Sequence, residues 1–468
     1  MYRLKQIGTV STKKAADIKE SRLGIGFEKL DRDAFDPEKA YDKLADIGVK
    51  WVRLQSGWQK TEKQKGVYDF AWLDSVVDNI LERGMTPWIC MCYGNAIYGG
   101  LATEIFGAVG CPPIHTDEQI TAWHNYCVAT AKHFCGRVKY FEVWNEPDGD
   151  WCWRPKVSGT ELGNFTIATA DALREGNPDC YVIGGALTKA NLPFLTEAFQ
   201  TGMADKIDAV SFHCYKMDIR NLRPSISSLR ALLDKYNPKL ELIQGESGAQ
   251  SRAGGKGAMF DGGWTPRKQC KHMLRHMITD LGMDVKFSSY FSCMDMMEAL
   301  NGKVGDKKSY QDYGYFGVLG ADFDEDGFAI GDYSPKPSYY TLSYLASIFA
   351  GEISALELPI IVNNENAPHC GNLPSVYCGT NEAYGFRLNN GSYAYAYWYG
   401  VNHLTCDFEG AITFTCSDLG EPKLVDPLDG KIYKIPEEMI ERYPSGAMAL
   451  HLLPIKDYPL LLVFGELE

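Results

Sequence analysis

Two glutamates stand where chemistry could be done. Glu146 follows the apolar run Phe141-Glu142-Val143-Trp144-Asn145, and Glu246 follows Leu242-Ile243-Gln244-Gly245. Each run has the composition of a buried strand, which puts each carboxyl group at a strand's C-terminal end. The two are three βα units apart, at roughly 30–35 residues per unit. In a closed eight-stranded barrel the fourth and seventh strands face each other across the mouth. Active sites of such barrels sit at the C-terminal strand ends. Two carboxyl groups across one pocket suit cleavage of a glycosidic bond. One protonates the leaving oxygen and the other, ionised, attacks the anomeric carbon. The plain alternative is that either glutamate pairs with a lysine or arginine as scaffold.

A barrel requires eight strands alternating with helices, and the sequence supplies them. Strand-like runs lie at 23–27, 51–54, 86–92, 138–144, 181–185, 209–213, 240–245 and 285–291. Amphipathic segments separate them, such as FAWLDSVVDNILERG at 70–84, where Leu73, Val76, Val77 and Ile80 share one helix face. Gly48, Gly84, Gly136 and Gly282 are placed to end helices in the left-handed conformation. Strands this apolar belong to a parallel sheet covered on both sides. A doubly wound sheet is the runner-up, but no glycine-rich phosphate loop follows the first strand. The last barrel helix is expected at 337–350. Beyond it YAYAYWY at 393–399 and the runs 411–415 and 460–464 read as closely spaced strands, with Asn389-Asn390-Gly391 as a hairpin turn. The expected organisation is therefore α/β: a (β/α)₈ TIM barrel over 18–350 and a C-terminal all-β, sandwich-like domain over 351–468, to which 1–17 adds a strand.

Composition excludes several other functions. A chain of 468 residues has room for a barrel of roughly 250 residues or more and a smaller domain. Its net charge is −13 with no basic cluster, which argues against nucleic acid. No apolar run reaches the roughly 18 residues that span a bilayer. The lysines near the N-terminus precede no apolar stretch, so no secretory signal is read there and a cytoplasmic location is expected. Fourteen cysteines lie scattered, some inside strand-like runs such as Cys90 and Cys92, which suits reduced buried thiols.

No metal or other cofactor is called for. His272 and His276 have the i, i+4 spacing of zinc ligands, but no third ligand accompanies them and their helix lies outside the barrel. Asp322-Phe323-Asp324-Glu325-Asp326-Gly327 opens like a calcium loop, yet the twelfth position is Tyr333, not glutamate. A solvated acidic loop is expected there.

Trp144-Asn145-Glu146-Pro147, a later strand-end Glu246 and Ser211-Phe212-His213-Cys214-Tyr215 together resemble glycoside hydrolase clan A. GVYD at 66–69 and the helix after it resemble the clan too. His213 and KPSYY at 336–340 point to family 39 as the nearest relative, whereas LGIGFEKLDRDAF at 23–35 is similar to the first strand of family 51. The resemblance spans about 22–350. The eighth strand, FSSYFSCMDM, departs from it by lacking a tryptophan common in the clan. The resemblance implies roles. Glu146 is the acid/base and Glu246 the nucleophile. Asn145 holds the sugar 2-hydroxyl. Tyr215 orients Glu246, His213 lines the same wall, and the fixed charge of Arg53 favours the ionised nucleophile. Glu28 contacts a substrate hydroxyl. Each has a plainer reading: His213 as a packed core histidine, Glu28 and Arg53 as a scaffold pair, Trp88 and Trp144 as core.

The expected function is that of a retaining, exo-acting glycoside hydrolase for small oligosaccharides or glycosides. The alternatives are an endo-glycanase of the same clan and a non-catalytic carbohydrate-binding protein. The loop 93–113 is expected to wall the pocket. The carboxylates of Glu146 and Glu246 are expected about 5–5.5 Å apart.

Overall fold

The computed structural model describes residues 4–216, 219–363, 381–403, 405 and 408–467. The first strand, β1 (Lys5–Thr9), stands apart from the eight that follow. Those eight are β2 (Leu23–Gly26), β3 (Trp51–Gln55), β4 (Thr86–Met91), β5 (Tyr140–Val143), β6 (Tyr181–Leu187), β7 (Ala209–His213), β8 (Glu241–Ser247) and β9 (Ser288–Tyr290). All pair in parallel, and the pairs Leu23↔Ser288 and Ile25↔Tyr290 close the barrel. The TIM barrel read from the sequence is the barrel observed.

Period-two alternation decides what fills it. Trp51 stacks on Phe287 at 4.3 Å between ring centroids and meets Tyr140 edge-on at 4.8 Å. Trp88 packs edge-on against Phe287 at 5.2 Å, and Ile183, Ala209 and Ile243 complete this apolar floor. The next inward layer, one pleat higher, is polar.

Helices cover the barrel as the apolar spacing requires. Ala71–Glu82 buries Leu73, Val76, Val77 and Ile80. Gly48, Gly84 and Gly136 take positive φ just past their helices. Gly282 does not. It is the last residue of the helix Pro266–Gly282, and Met283 follows as the cap. Its reason is close approach: a Cβ there would lie 2.2 Å from Cδ1 of Tyr384. We expect Gly282→Ala to lose about 1–3 kcal/mol, the usual cost of overpacking, read by urea denaturation. An unchanged midpoint would show that the Tyr384 ring moves freely aside.

After the barrel helix Pro337–Ile348 the chain builds two antiparallel sheets. The larger runs in the order β1, Lys431–Lys434, Pro422–Asp426, Leu460–Phe464, Tyr393–Tyr399, Asn381–Arg387, Ser354–Ala355. The smaller runs Ile360–Asn363, Gly410–Cys416, Met448–Ile455, Ile440–Arg442. Tyr397 of the first packs on Phe414 of the second at 4.8 Å and donates its hydroxyl to the Pro454 carbonyl at 2.9 Å. Gly391, at φ 86, sits in the hairpin between Asn381–Arg387 and Tyr393–Tyr399. The acidic run 322–327 forms the tip of a hairpin pairing Leu319–Phe323 with Ala329–Pro335, with Glu325 and Asp326 exposed. Its Asp324 carboxylate accepts from the amides of Asp326 and Phe328, both at 2.9 Å, and so fastens a turn. Every described cysteine is a free thiol, and all but Cys135 are buried. Among the described residues no helix is long and apolar enough to cross a membrane.

Candidate active site

The polar layer above the floor is organised by one arginine. Arg53 lies two residues beyond Trp51 on β3, and Glu142 two beyond Tyr140 on β5, so both belong to the barrel's interior face. The guanidinium rests over the Trp88 ring, 5.4 Å from its centroid. From there its nitrogens donate to Glu142 at 2.9 Å, Glu28 at 2.9 Å, Glu246 at 2.8 Å and the Asn145 amide oxygen at 2.8 Å. Arg53 is fully buried, yet each of its directions is met by an acceptor, the condition under which a buried charge is tolerated. Burial works against the charge, but Glu142 and Glu28 outweigh it and hold the guanidinium firmly protonated. Glu28 and Arg53 do pair, and the same arginine also reaches the proposed nucleophile.

Glu142 is a residue that the sequence reading passed over. It takes a hydrogen bond from the Ser211 hydroxyl on β7 in addition to those from Arg53. The signal was present: a lone acid inside an apolar strand needs a buried cation, and WVRLQ supplies one two strands away.

Glu146 sits where β5 breaks. Trp144 and Glu146 both take positive φ, 65° and 46°, so the chain bends sharply after Val143. Such strained backbone needs external support. It comes from the Glu146 amide donating to the Ala186 carbonyl at 2.9 Å and the Trp144 indole donating to the Cys152 carbonyl at 2.6 Å. One Glu146 oxygen accepts from the Trp151 indole at 2.7 Å, and the other lies 3.0 Å from His213 Nδ1. Gly149 permits the first contact, since a Cβ there would sit 2.7 Å from the Trp151 ring.

Glu246, on β8, has different neighbours. One oxygen takes the Arg53 hydrogen bond and the other that of the Tyr215 hydroxyl. Burial and the adjacent Glu246 push the Tyr215 phenol far up, so it remains a donor. An oxygen of Glu146, one of Glu246 and a ring nitrogen of His213 all lie within 4.8 Å of one another. On distance alone this trio could ligate a cation. The Arg53 guanidinium, 2.8 Å from Glu246, already supplies the positive charge there. Burial alone would lower the His213 imidazole, but Glu246 and the hydrogen bond to Glu146 overcome it and raise it.

A cavity of about 380 Å³ opens above these groups. Glu28, Asn145, Glu146, Tyr215 and Glu246 line it. Arg53 and His213 do not; both are fully buried and act from beneath. Trp88 and Trp144 are equally buried and form core rather than a sugar platform. Tyr93 and Val109 from the loop after β4 face Leu300 and Asn301 from the segment after β9. Lys29 and Glu298 also line the wall, 3.7 Å apart, and neither was foreseen. Burial, opposed by Lys29, raises the Glu298 carboxyl.

His272 and His276, for which zinc is already set aside on the missing third ligand, lie on the outer helix Pro266–Gly282. His272 Nε2 is 2.8 Å from the Lys216 carbonyl, and His276 Nδ1 is 3.1 Å from Asp280.

Residues 38–236 match the model of glycosyl hydrolases family 39. The solved family 39 glycoside hydrolase from the gut symbiont Bacteroides cellulosilyticus WH2 superposes with a TM-score of 0.64 at 17% identity, covering 95% of this chain and 81% of that one. A monomeric β-xylosidase from Caulobacter crescentus CB15 shares the fold, with a TM-score of 0.58 and 17% identity over 97% of both chains. In sequence, a β-xylosidase of Geobacillus stearothermophilus is 26% identical over an alignment of 164 residues that covers 33% of this chain and 32% of that protein. The match thus spans about a third of the curated relative's length.

Proposed function

We propose that this chain is a retaining, exo-acting glycoside hydrolase with Glu246 as nucleophile and Glu146 as acid/base. The observation that carries the reading is the close approach of the two carboxyl groups, an oxygen of Glu146 lying within 4.8 Å of one of Glu246, as suits the roughly 5–5.5 Å spacing of retaining enzymes. An inverting enzyme needs roughly 6.5–9.5 Å to seat a water between base and sugar.

In the first step a Glu246 oxygen attacks the anomeric carbon. The bond to the leaving oxygen breaks, and that oxygen takes its electron pair and a proton from Glu146. In the second, Glu146 takes a proton from water, the water oxygen attacks the same carbon, and Glu246 departs as carboxylate. His213 Nδ1 lies 3.0 Å from a Glu146 oxygen, and Glu146 is the member of that pair that lines the cavity. Arg53 and Tyr215 stabilise the carboxylate each time it is free. Asn145, fixed by Arg53, presents its amide to the sugar 2-hydroxyl, and Glu28, Lys29 and Glu298 meet the remaining hydroxyls. A cavity of about 380 Å³, walled by Tyr93, Val109, Leu300 and Asn301, favours a terminal sugar over a polymer's interior. The free, buried thiols support a reducing, cytoplasmic location.

The β-xylosidases among the relatives make aryl β-xylosides the first substrates to try. Proton NMR of the first-formed product should show the anomer of the substrate. Release of the opposite anomer would overturn the covalent mechanism. Failure to cleave any aryl glycoside would favour a carbohydrate-binding protein instead, and a rapid fall in polymer viscosity an endo-glycanase.

A further inference from the structure

Every residue from 269 to 281 of the helix Pro266–Gly282 is buried. The barrel covers one side. The β sheets cover the other, through Lys271 to Asp457 at 2.8 Å and Arg275 to the Val401 carbonyl at 2.6 Å. Position 272, on a helix covered all round, is one where an apolar side chain is the ordinary occupant. It carries instead an imidazole that is 1% exposed, with Nε2 2.8 Å from the Lys216 carbonyl. Burial and His276 press this imidazole down to about 3, so it is neutral. A carbonyl can only accept, so Nε2 carries the hydrogen and donates it.

Lys216 directly follows Tyr215, whose hydroxyl donates to Glu246. On the near side of Tyr215 the chain is tied to β8. The Cys214 amide donates to the Glu246 carbonyl at 3.3 Å, and the Ser247 hydroxyl donates to the Cys214 carbonyl at 2.9 Å. On the far side the tie is His272. The ring is wedged between Trp264, edge-on at 5.6 Å, and His403 at 5.6 Å.

We propose that His272 is a positioning residue: its Nε2–H fixes the Lys216 carbonyl and thereby holds the Tyr215 hydroxyl on the nucleophile. This rests on Glu246 being that nucleophile. Of the two histidines at i, i+4 spacing, His272 thus serves the active site through the backbone.

The test is a double-mutant cycle on an aryl glycoside that the wild type hydrolyses, with Glu246→Ala alongside. His272→Leu should lower kcat about tenfold, the scale of a modest misplacement, with KM little changed. Tyr215→Phe should lower it further. The double variant should be no worse than Tyr215→Phe alone, because both act through one hydroxyl. His272→Gln, whose amide nitrogen reaches the place of Nε2, should recover most of kcat. If His272→Leu does not fold, the shorter His272→Asn takes its place in the cycle. Losses that add in the double variant, or a folded His272→Gln as slow as His272→Leu, would overturn the role of His272. Undiminished turnover in Glu246→Ala would strike the nucleophile assignment instead.

Discussion

Glu246→Ala is expected to fold and to turn over essentially no substrate. The carboxylate it removes lies 2.8 Å from the Arg53 guanidinium and has an oxygen within 4.8 Å of one of the proposed acid, the place from which the attack is made. Glu146→Ala should behave differently. With a poor leaving group, loss of the general acid costs about 10²–10⁴-fold. With a good leaving group such as dinitrophenolate, which departs without a proton, formation of the glycosyl-enzyme should persist. The check is a series of aryl glycosides graded by leaving-group acidity. The rate of Glu146→Ala should rise steeply along it, and that of the wild type should be nearly flat. Equal slopes would mean that Glu146 is not the acid. The two variants also differ from a binding defect in where the loss appears: it falls on kcat, because both carboxyl groups act on charge that develops only in the transition state.

The second large effect is on stability. Arg53→Leu leaves Glu28, Glu142 and Glu246 buried without their shared cation. Removing one partner of a buried ion pair costs about 3–5 kcal/mol, and equilibrium unfolding should show at least that loss. The sign of its pH dependence follows from Glu28. Burial raises this carboxyl to about 7 although Arg53 pulls it down, so between its ordinary 4.5 and about 7 the folded state holds more protons than the unfolded one. Its contribution is therefore fully present below 4.5 and fades as pH rises through about 7. Without Arg53 the opposing pull is gone. The deficit of Arg53→Leu should then widen as pH rises and narrow in acid, where protonated carboxyls need no cation. A deficit independent of pH would show that lost packing, not charge, is responsible. Arg53→Lys keeps the charge but not the planar fork, so it should recover part of the stability and little of the activity.

The sequence disclosed the parts of this site that periodicity governs. Apolar runs marked where strands end, and in a parallel barrel all such ends share one face, so Glu146 and Glu246 could be placed opposite each other before any coordinates. The helix faces were equally legible, as the buried Leu73, Val76, Val77 and Ile80 illustrate. What escaped was set by tertiary approach. Trp151, Lys29 and Glu298 lie between regular elements, where no period fixes a side chain's direction. Gly282 had the look of a helix terminator because glycine suits one, but its position is dictated by a tyrosine a hundred residues on. Glu142 was hidden by its apolar neighbours, although its charge alone required the partner that Arg53 provides. The acidic run at 322–327 drew attention by composition, and backbone amides turned out to be its ligands.

The placement of β1 has a consequence for the order in which the molecule can be made. Lys5 pairs with Lys434 and Thr9 with Lys431, so the larger sheet is begun by the first strand and completed by the last part of the chain. The whole barrel is thus a loop between two neighbouring strands of one sheet. Closing a loop that long is entropically costly, and long-range pairings of this kind form late in folding. On the ribosome, β1 must wait with its edge unpaired while more than four hundred residues are synthesised. It pairs through Lys5, Gln6, Gly8 and Thr9, Ile7 is its single large apolar side chain, and all five residues of β1 are at least partly exposed. A charged, solvated edge strand is poorly suited to joining a stranger's sheet. The same polarity that makes β1 an inconspicuous strand in the sequence protects it during that interval.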